Sequence, residues 1–160
     1  MQPYAGFWWR VLAYFIDVII LQIAVSIVTG VLGLGAGAGM AMLGGEQQSI
    51  FTTTLLISLS ISLVMNWLYF ALMESSSMQA TVGKLAVGVV VTDLEGNRIS
   101  FGRATGRYFA KILSGIILLI GYIMVAFTER KQGLHDMVAG TLVWKTRDPR
   151  SLVSHEEVFR

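Results

Sequence analysis

The chain has 160 residues, 54% of them hydrophobic and 14% charged, with a mean hydropathy of +0.66. That apolar excess is more than a water-soluble domain of this length carries, so a lipid bilayer is the expected solvent. Cysteine is absent and there are two histidines, which excludes a disulfide framework and a Cys/His metal cluster. The net charge of +2 hides an uneven distribution: of the twelve Lys and Arg residues, one is Arg10 and the rest lie from Lys84 onward.

From Val11 to Val28 the sequence is apolar except for Asp17, Gln22 and Ser26, and Phe7, Trp8 and Trp9 precede it as an interfacial belt. This predicts a first spanning helix over about residues 7–30. An acid inside the apolar stretch and aromatics in place of a basic leader argue against a cleavable signal peptide. Residues 31–49 are rich in glycine and alanine, carry Glu46 as their only charge, and read as a loop. Residues 51–73 have no formal charge and form the second span, closed by Glu74 and Ser75-Ser76-Ser77. With every basic residue at Arg10 or from Lys84 onward, the positive-inside rule puts both ends of this pair in the cytoplasm and the Gly-rich loop outside.

Residues 84–101 change character: a β-branched run from Lys84 to Thr92 meets turn residues at Asp93–Asn97, then Arg98-Ile-Ser-Phe101. This predicts a small cytoplasmic β-hairpin, to which Gly140–Lys145 can add a third strand. The helical segment 103–127 has an apolar part of only 16 residues, Ile112 to Phe127. It is either a broken, re-entrant pair hinged near Gly115 or Gly121, which keeps all basic residues inside, or a complete third span. Residues 146–160 read as a polar tail, in which Ser154 and Glu157 have capping-box spacing. The fold class is therefore an all-α membrane protein: two transmembrane helices, a third helical segment and a small hairpin in one domain, residues 1–145.

Arg10 and Asp17 are seven residues apart, so they share a helix side and are separated by ~10 Å along its axis, with Tyr14 between them. Asp17 lies ~12 Å past Trp9, near the middle of a hydrocarbon layer about 30 Å thick. A charge there costs at least ~2.5 kcal/mol, so Asp17 is expected to be protonated or paired. It reads either as a link between helices or as an ion- or proton-carrying carboxylate; Arg10 reads first as an interfacial anchor. In the second span Thr54, Ser58, Ser62 and Asn66 recur every four residues, a polar stripe that suits helix packing better than a hydrophilic path. Glu74 ends that helix where the dipole disfavours an anion, so a basic partner such as Lys84 or Arg10 is expected. His135 beside Asp136 has the composition of a proton relay, or of ordinary interfacial polarity.

Two strings fail on context. Gly33-Leu-Gly35-Ala-Gly-Ala38 lacks the preceding strand and following acid of a dinucleotide fingerprint, and Thr81-Val-Gly83-Lys84 is followed by Leu85 where a phosphate loop needs Ser or Thr. No catalytic constellation is complete, so no enzyme activity, cofactor, metal or nucleic-acid partner is expected.

Taken together these residues resemble the RDD family of small bacterial membrane proteins, named for one arginine and two aspartates. Gly6-Phe-Trp-Trp-Arg10-Val-Leu-Ala-Tyr-Phe-Ile-Asp17 matches its first element. Thr81-Val-Gly83-Lys84 with Gly88, Val91, Asp93 and Gly96 is similar to its second, with Val82 in place of the family's proline. Gln132-Gly-Leu-His-Asp136 followed by Ala139-Gly140-Thr141 matches its third. The resemblance spans Gly6 to Trp144 and implies a multi-pass protein of the bacterial cytoplasmic membrane. It also implies transport, some members being linked to sodium/proton antiport. Two functions follow as expectations. One is a cation/proton transporter, or a subunit of one, with Arg10, Asp17 and Asp136 as its site and monovalent cations and protons as ligands. The other is a non-transporting scaffold or accessory subunit that recruits a partner or anionic lipid. Two or three spans enclose little volume, so a homo-oligomer or a further membrane subunit is expected.

Overall fold

The structure, a computed structural model, describes residues 4–116 and 120–146, so the tail with Ser154 and Glu157 lies outside the described residues. Two helices dominate: α1 (Phe7–Met42), with 36 residues, and α2 (Gln47–Ser75), with 29, both long and apolar enough to cross a membrane. The chain divides into two compact units, Val18–Leu68 and the residues flanking it on both sides.

The Val18–Leu68 unit is an antiparallel helix pair. Gly33 faces Thr54, whose Cγ2 lies 3.3 Å from where a Cβ would stand, and Gly37 faces Ile50 at 3.8 Å. Small residues one turn apart let the two backbones approach closely. The glycine-rich segment expected as a loop over 31–49 is therefore mostly helix, and the connection shrinks to Leu43–Glu46, where Gly44 takes φ +75°. The reason is the solvent: in lipid, each backbone N–H and C=O must be paired within the helix, which outweighs glycine's entropic cost. Ile23, Ile27, Leu34, Phe51 and Leu63 are each more than half exposed, an outward apolar surface that water would not tolerate.

The other unit starts with the first turns of α1 and the last turns of α2 and adds six short elements. These are α3 (Val82–Val87), β1 (Val90–Asp93), α4 (Phe101–Ile116), α5 (Ile120–Phe127), α6 (Leu134–Ala139) and β2 (Thr141–Trp144). β1 pairs antiparallel with β2, Val91 opposite Val143, and Tyr4 bridges to Trp144 on the other side of β2. Trp144 is buried with Ala80, Val90 and Leu142, and its indole N–H donates to Thr92 Oγ1 at 2.7 Å. The hairpin expected within 84–101 is thus replaced by a pairing of β1 with the 141–144 strand. Asp93 does fold the turn, its Oδ1 accepting from the N–H groups of Glu95 and Asn97. Ser100 then starts α4, its carbonyl accepting from Ala104 and its hydroxyl from Arg103, so 98–101 is drawn into a helix start and not a strand. The 103–127 segment comprises α4 and α5, with residues 117–119 outside the described part.

Candidate functional site

Asp17 and Asp136 are both fully buried, and each occupies a separate site.

Asp17 is received by α3. Thr81 caps that helix with extended backbone (φ −76°, ψ 168°), which points its hydroxyl and the Gly83 N–H back toward α1. Gly83 N–H donates to Asp17 Oδ1 at 2.7 Å, Tyr69 donates to the same oxygen at 2.7 Å, and Thr81 donates to Oδ2 at 2.5 Å. Both hydroxyls accept from backbone elsewhere, Tyr69 from Val82 N–H at 3.1 Å and Thr81 from Lys84 N–H at 3.4 Å, so their own protons point at the carboxyl group. The three donors are neutral groups, and the cradle is full. A Cβ on Gly83 would stand 2.1 Å from Ala13 O and 2.8 Å from Asp17 Cγ. The string rejected as a phosphate loop holds the chain's own carboxyl group.

Asp136 is the third residue of α6 and accepts from the Gly133 N–H at 3.1 Å, closing that helix start. Arg10 bonds its Oδ2, while Arg107 from α4 donates Nε and Nη2 to Oδ1 at 2.9 and 2.6 Å. The remaining Arg107 nitrogen, Nη1, donates to Glu74 Oε2 at 2.6 Å. Glu74 Oε1 is bonded by Lys84 and lies 3.3 Å from Lys111 Nζ. Arg10 is further fixed by the carbonyls of Ala5 and Lys131, at 3.1 and 2.6 Å. Four cations thus surround two carboxylates at the ends of α1 and α2. Burial alone would push the Asp136 carboxyl up, but Arg10 and then Arg107 hold it well below the usual carboxylate range. Burial pushes the Lys84 ammonium down to about 7 against the pull of Glu74, and the neighbouring His135 imidazole down to about 3. His135 Nε2 is 3.4 Å from Asp136 Oδ1.

The Arg and two Asp residues do not form one site: Arg10 joins Asp136, and Asp17 stands apart. Lys84 meets Glu74, whereas Arg10 does not. Tyr14 turns away, 59% exposed, and stacks on Phe70 at 6.3 Å. In the polar stripe, Ser62 donates to the Ser58 carbonyl and Asn66 to that of Ser62, at 2.7 and 2.8 Å, while Thr54 packs on Gly33. The stripe spends these groups on its own helix and on packing. Sequence reasoning missed Arg107, Lys111, Tyr69 and the roles of Thr81 and Gly83. The signal for the first two was their spacing, Arg107 and Lys111 being one turn apart. A cavity of about 230 Å³ lies among Ser77–Gln79, Leu85 and Gly88–Val90, and neither aspartate lines it.

Two long apolar helices with buried ionisable groups at their ends define a small helical membrane protein. The chain belongs to the RDD family, which matches residues 4–140. It is 44% identical over 149 residues to the uncharacterized protein YxaI of Bacillus subtilis, covering 89% of this chain and 98% of that one. It is 34% identical to the uncharacterized membrane protein YteJ of the same organism, covering 99% and 85% respectively. No solved structure matches.

Proposed function

We propose that this protein is a membrane-embedded accessory subunit in which Arg10, Asp17 and Asp136 lock the helix ends to the elements that follow them, leaving the protein to act through a membrane partner or a second copy. The observation that carries this reading is the Asp17 cradle. A carboxyl group with three short donors, no solvent exposure and backbone packed against it has no room to exchange a hydrated cation. On this reading the chain crosses the bacterial cytoplasmic membrane with its N-terminus inside, supported by the absence of Lys and Arg between Val18 and Leu68.

A cation/proton exchanger is the second reading, favoured by one feature. Burial pushes the Lys84 ammonium down to about 7 against the pull of Glu74, which places this bonded pair where it could take part in proton exchange near neutral pH. The test is reconstitution: sodium-driven proton flux is measured for wild type, Asp17→Asn, Lys84→Met and empty liposomes. Equal flux in all four supports the accessory reading. Wild-type flux above the empty liposomes overturns it, and the variants then separate a pathway through Asp17 from one through Lys84. Cross-linked pull-down from native membranes is the positive arm, in which a membrane protein or a second copy is expected to be captured.

A further inference from the structure

α4 carries its polarity in reverse. Its inward face is Ala104, Arg107, Ala110, Lys111 and Ser114, with Arg107 only 1% exposed, and the two cations point at Glu74 and Asp136. Its outward face holds the large apolar side chains: Phe101 is 41% exposed, Phe109 55%, Ile112 44% and Leu113 52%. At 100° per residue these four cluster on the side opposite Arg107 and Lys111. A helix packed on a water-soluble core does the opposite, hiding Phe, Ile and Leu and wetting Arg and Lys.

The level at which α4 sits accounts for the reversal. Tyr108 of α4 stacks on Phe70 of α2 at 6.1 Å, and Phe70 stacks on Tyr14 of α1 at 6.3 Å. Tyr14 is five residues beyond Trp9, or ~7.5 Å along the helix from the exposed tryptophan pair that marks an interfacial belt. The middle of α4 therefore lies alongside parts of α1 and α2 that are already within the apolar stretch. Water at that level would meet a sheet of exposed phenylalanine, isoleucine and leucine; acyl chains would match it.

We propose that α4 is a membrane-embedded helix whose Phe101, Phe109, Ile112 and Leu113 face lies against lipid acyl chains, while its cationic face is turned into the protein. Arg107 and Lys111 are neutralised by Glu74 and Asp136 and need no water at that depth, while Arg103, with its side chain 45% exposed, sits in the first turn of α4 beside Asp93, at the polar end of the helix. This inference rests on membership of a membrane family and not on the accessory-subunit reading.

The chain has no cysteine, so single-cysteine variants report one position each. Phe109→Cys, Ile112→Cys and Leu113→Cys are spin-labelled in proteoliposomes, with Leu94→Cys, at a 50% exposed position of the Asp93–Asn97 turn, as the aqueous reference. Collision rates with oxygen, which concentrates in lipid, are compared with those of a water-soluble nickel chelate. Oxygen is expected to dominate at all three α4 positions and the chelate at 94. Chelate collisions at 109, 112 and 113 equal to those at 94 overturn the proposal by placing the face in water. Protection from both reagents overturns it by showing a protein cover. Each variant is admitted only if its thermal melt matches wild type, and three independent positions keep the test open if one fails to fold.

Discussion

Arg107 grips Asp136 with two nitrogens on one oxygen and gives its third to Glu74, so one guanidinium ties α4 to both α6 and the end of α2. Because the group is 1% exposed, its worth lies in what its loss leaves behind: two buried carboxylates short of a partner. Arg107→Ala is expected to cost about 3–5 kcal/mol of stability in detergent. Arg107→Lys is expected to recover only part of this, since an ammonium lacks the planar fork that serves both acids. Thermal or denaturant unfolding followed by tryptophan fluorescence measures both; full rescue by lysine would show that charge alone matters.

The two aspartates are predicted to differ. Asp136→Asn leaves Arg10 and Arg107 without their shared anion and is expected to cost about 3–5 kcal/mol. Asp17→Asn loses an acceptor for neutral donors, at about 1–3 kcal/mol. Unfolding midpoints in the same detergent rank them, and a larger loss at position 17 would contradict the assignment of the main ionic lock to Asp136.

Gly83 tolerates no side chain. In Gly83→Ala the new methyl would lie 2.1 Å from Ala13 O, so α3 must withdraw and release Asp17. Overpacking of this kind costs about 1–3 kcal/mol, and a stable yield equal to wild type would refute the close approach. Gly102→Ala, where a Cβ meets nothing within 4 Å, is the neutral control.

Stability is predicted to fall in mild acid. His135 is neutral in the fold down to about 3, while an unfolded histidine binds its proton near 6.5. Between those values the unfolded chain holds more protons, so lowering the pH favours it, by up to about 1.4 kcal/mol per unit for one group. Asp136 acts in the same direction further down: its folded pKa is depressed, so its contribution is present above 3.8 and disappears as pH falls through the folded value. Lys84 governs the alkaline side. From about 7 to 10.5 the unfolded lysine keeps a proton that the folded one sheds, so its contribution rises with pH. Melting temperatures across pH 4.5–8 are expected to decline below pH 6.5 in wild type. His135→Gln should flatten that limb.

Asp17 was legible as a charge in apolar surroundings, Asp136 through its His135 neighbour and the family resemblance, and Glu74 at a helix C-terminus asks on dipole grounds for a basic partner, Lys84 or Arg10, of which Lys84 meets it. Arg107 did not stand out. It sits between Arg103 and Lys111, and a basic run before an apolar segment looks like flanking charge until the helix shows which face is buried. The 31–49 region misled in another way, because glycine reads as a breaker only where water competes for the backbone. The β1 pairing with 141–144 was visible as strand composition, but its register depends on Trp144 reaching Thr92, a contact no local pattern encodes.

The Asp17 cradle also imposes an order on biogenesis. Thr81 and Gly83 lie 64 and 66 positions after Asp17. As synthesis proceeds, the first helix enters the bilayer with a carboxyl group whose permanent donors do not yet exist. That helix must cross on its own hydrophobicity against about 2.5 kcal/mol or more for the acid, and it settles only when α3 emerges beyond the second helix. Thr81-Val-Gly83-Lys84 then acts as a latch, Thr81 and Gly83 closing on α1 while Val82 and Lys84 close on α2. Nascent chains arrested before residue 81 should leave the first helix extractable, and chains carried past Lys84 should hold it fast.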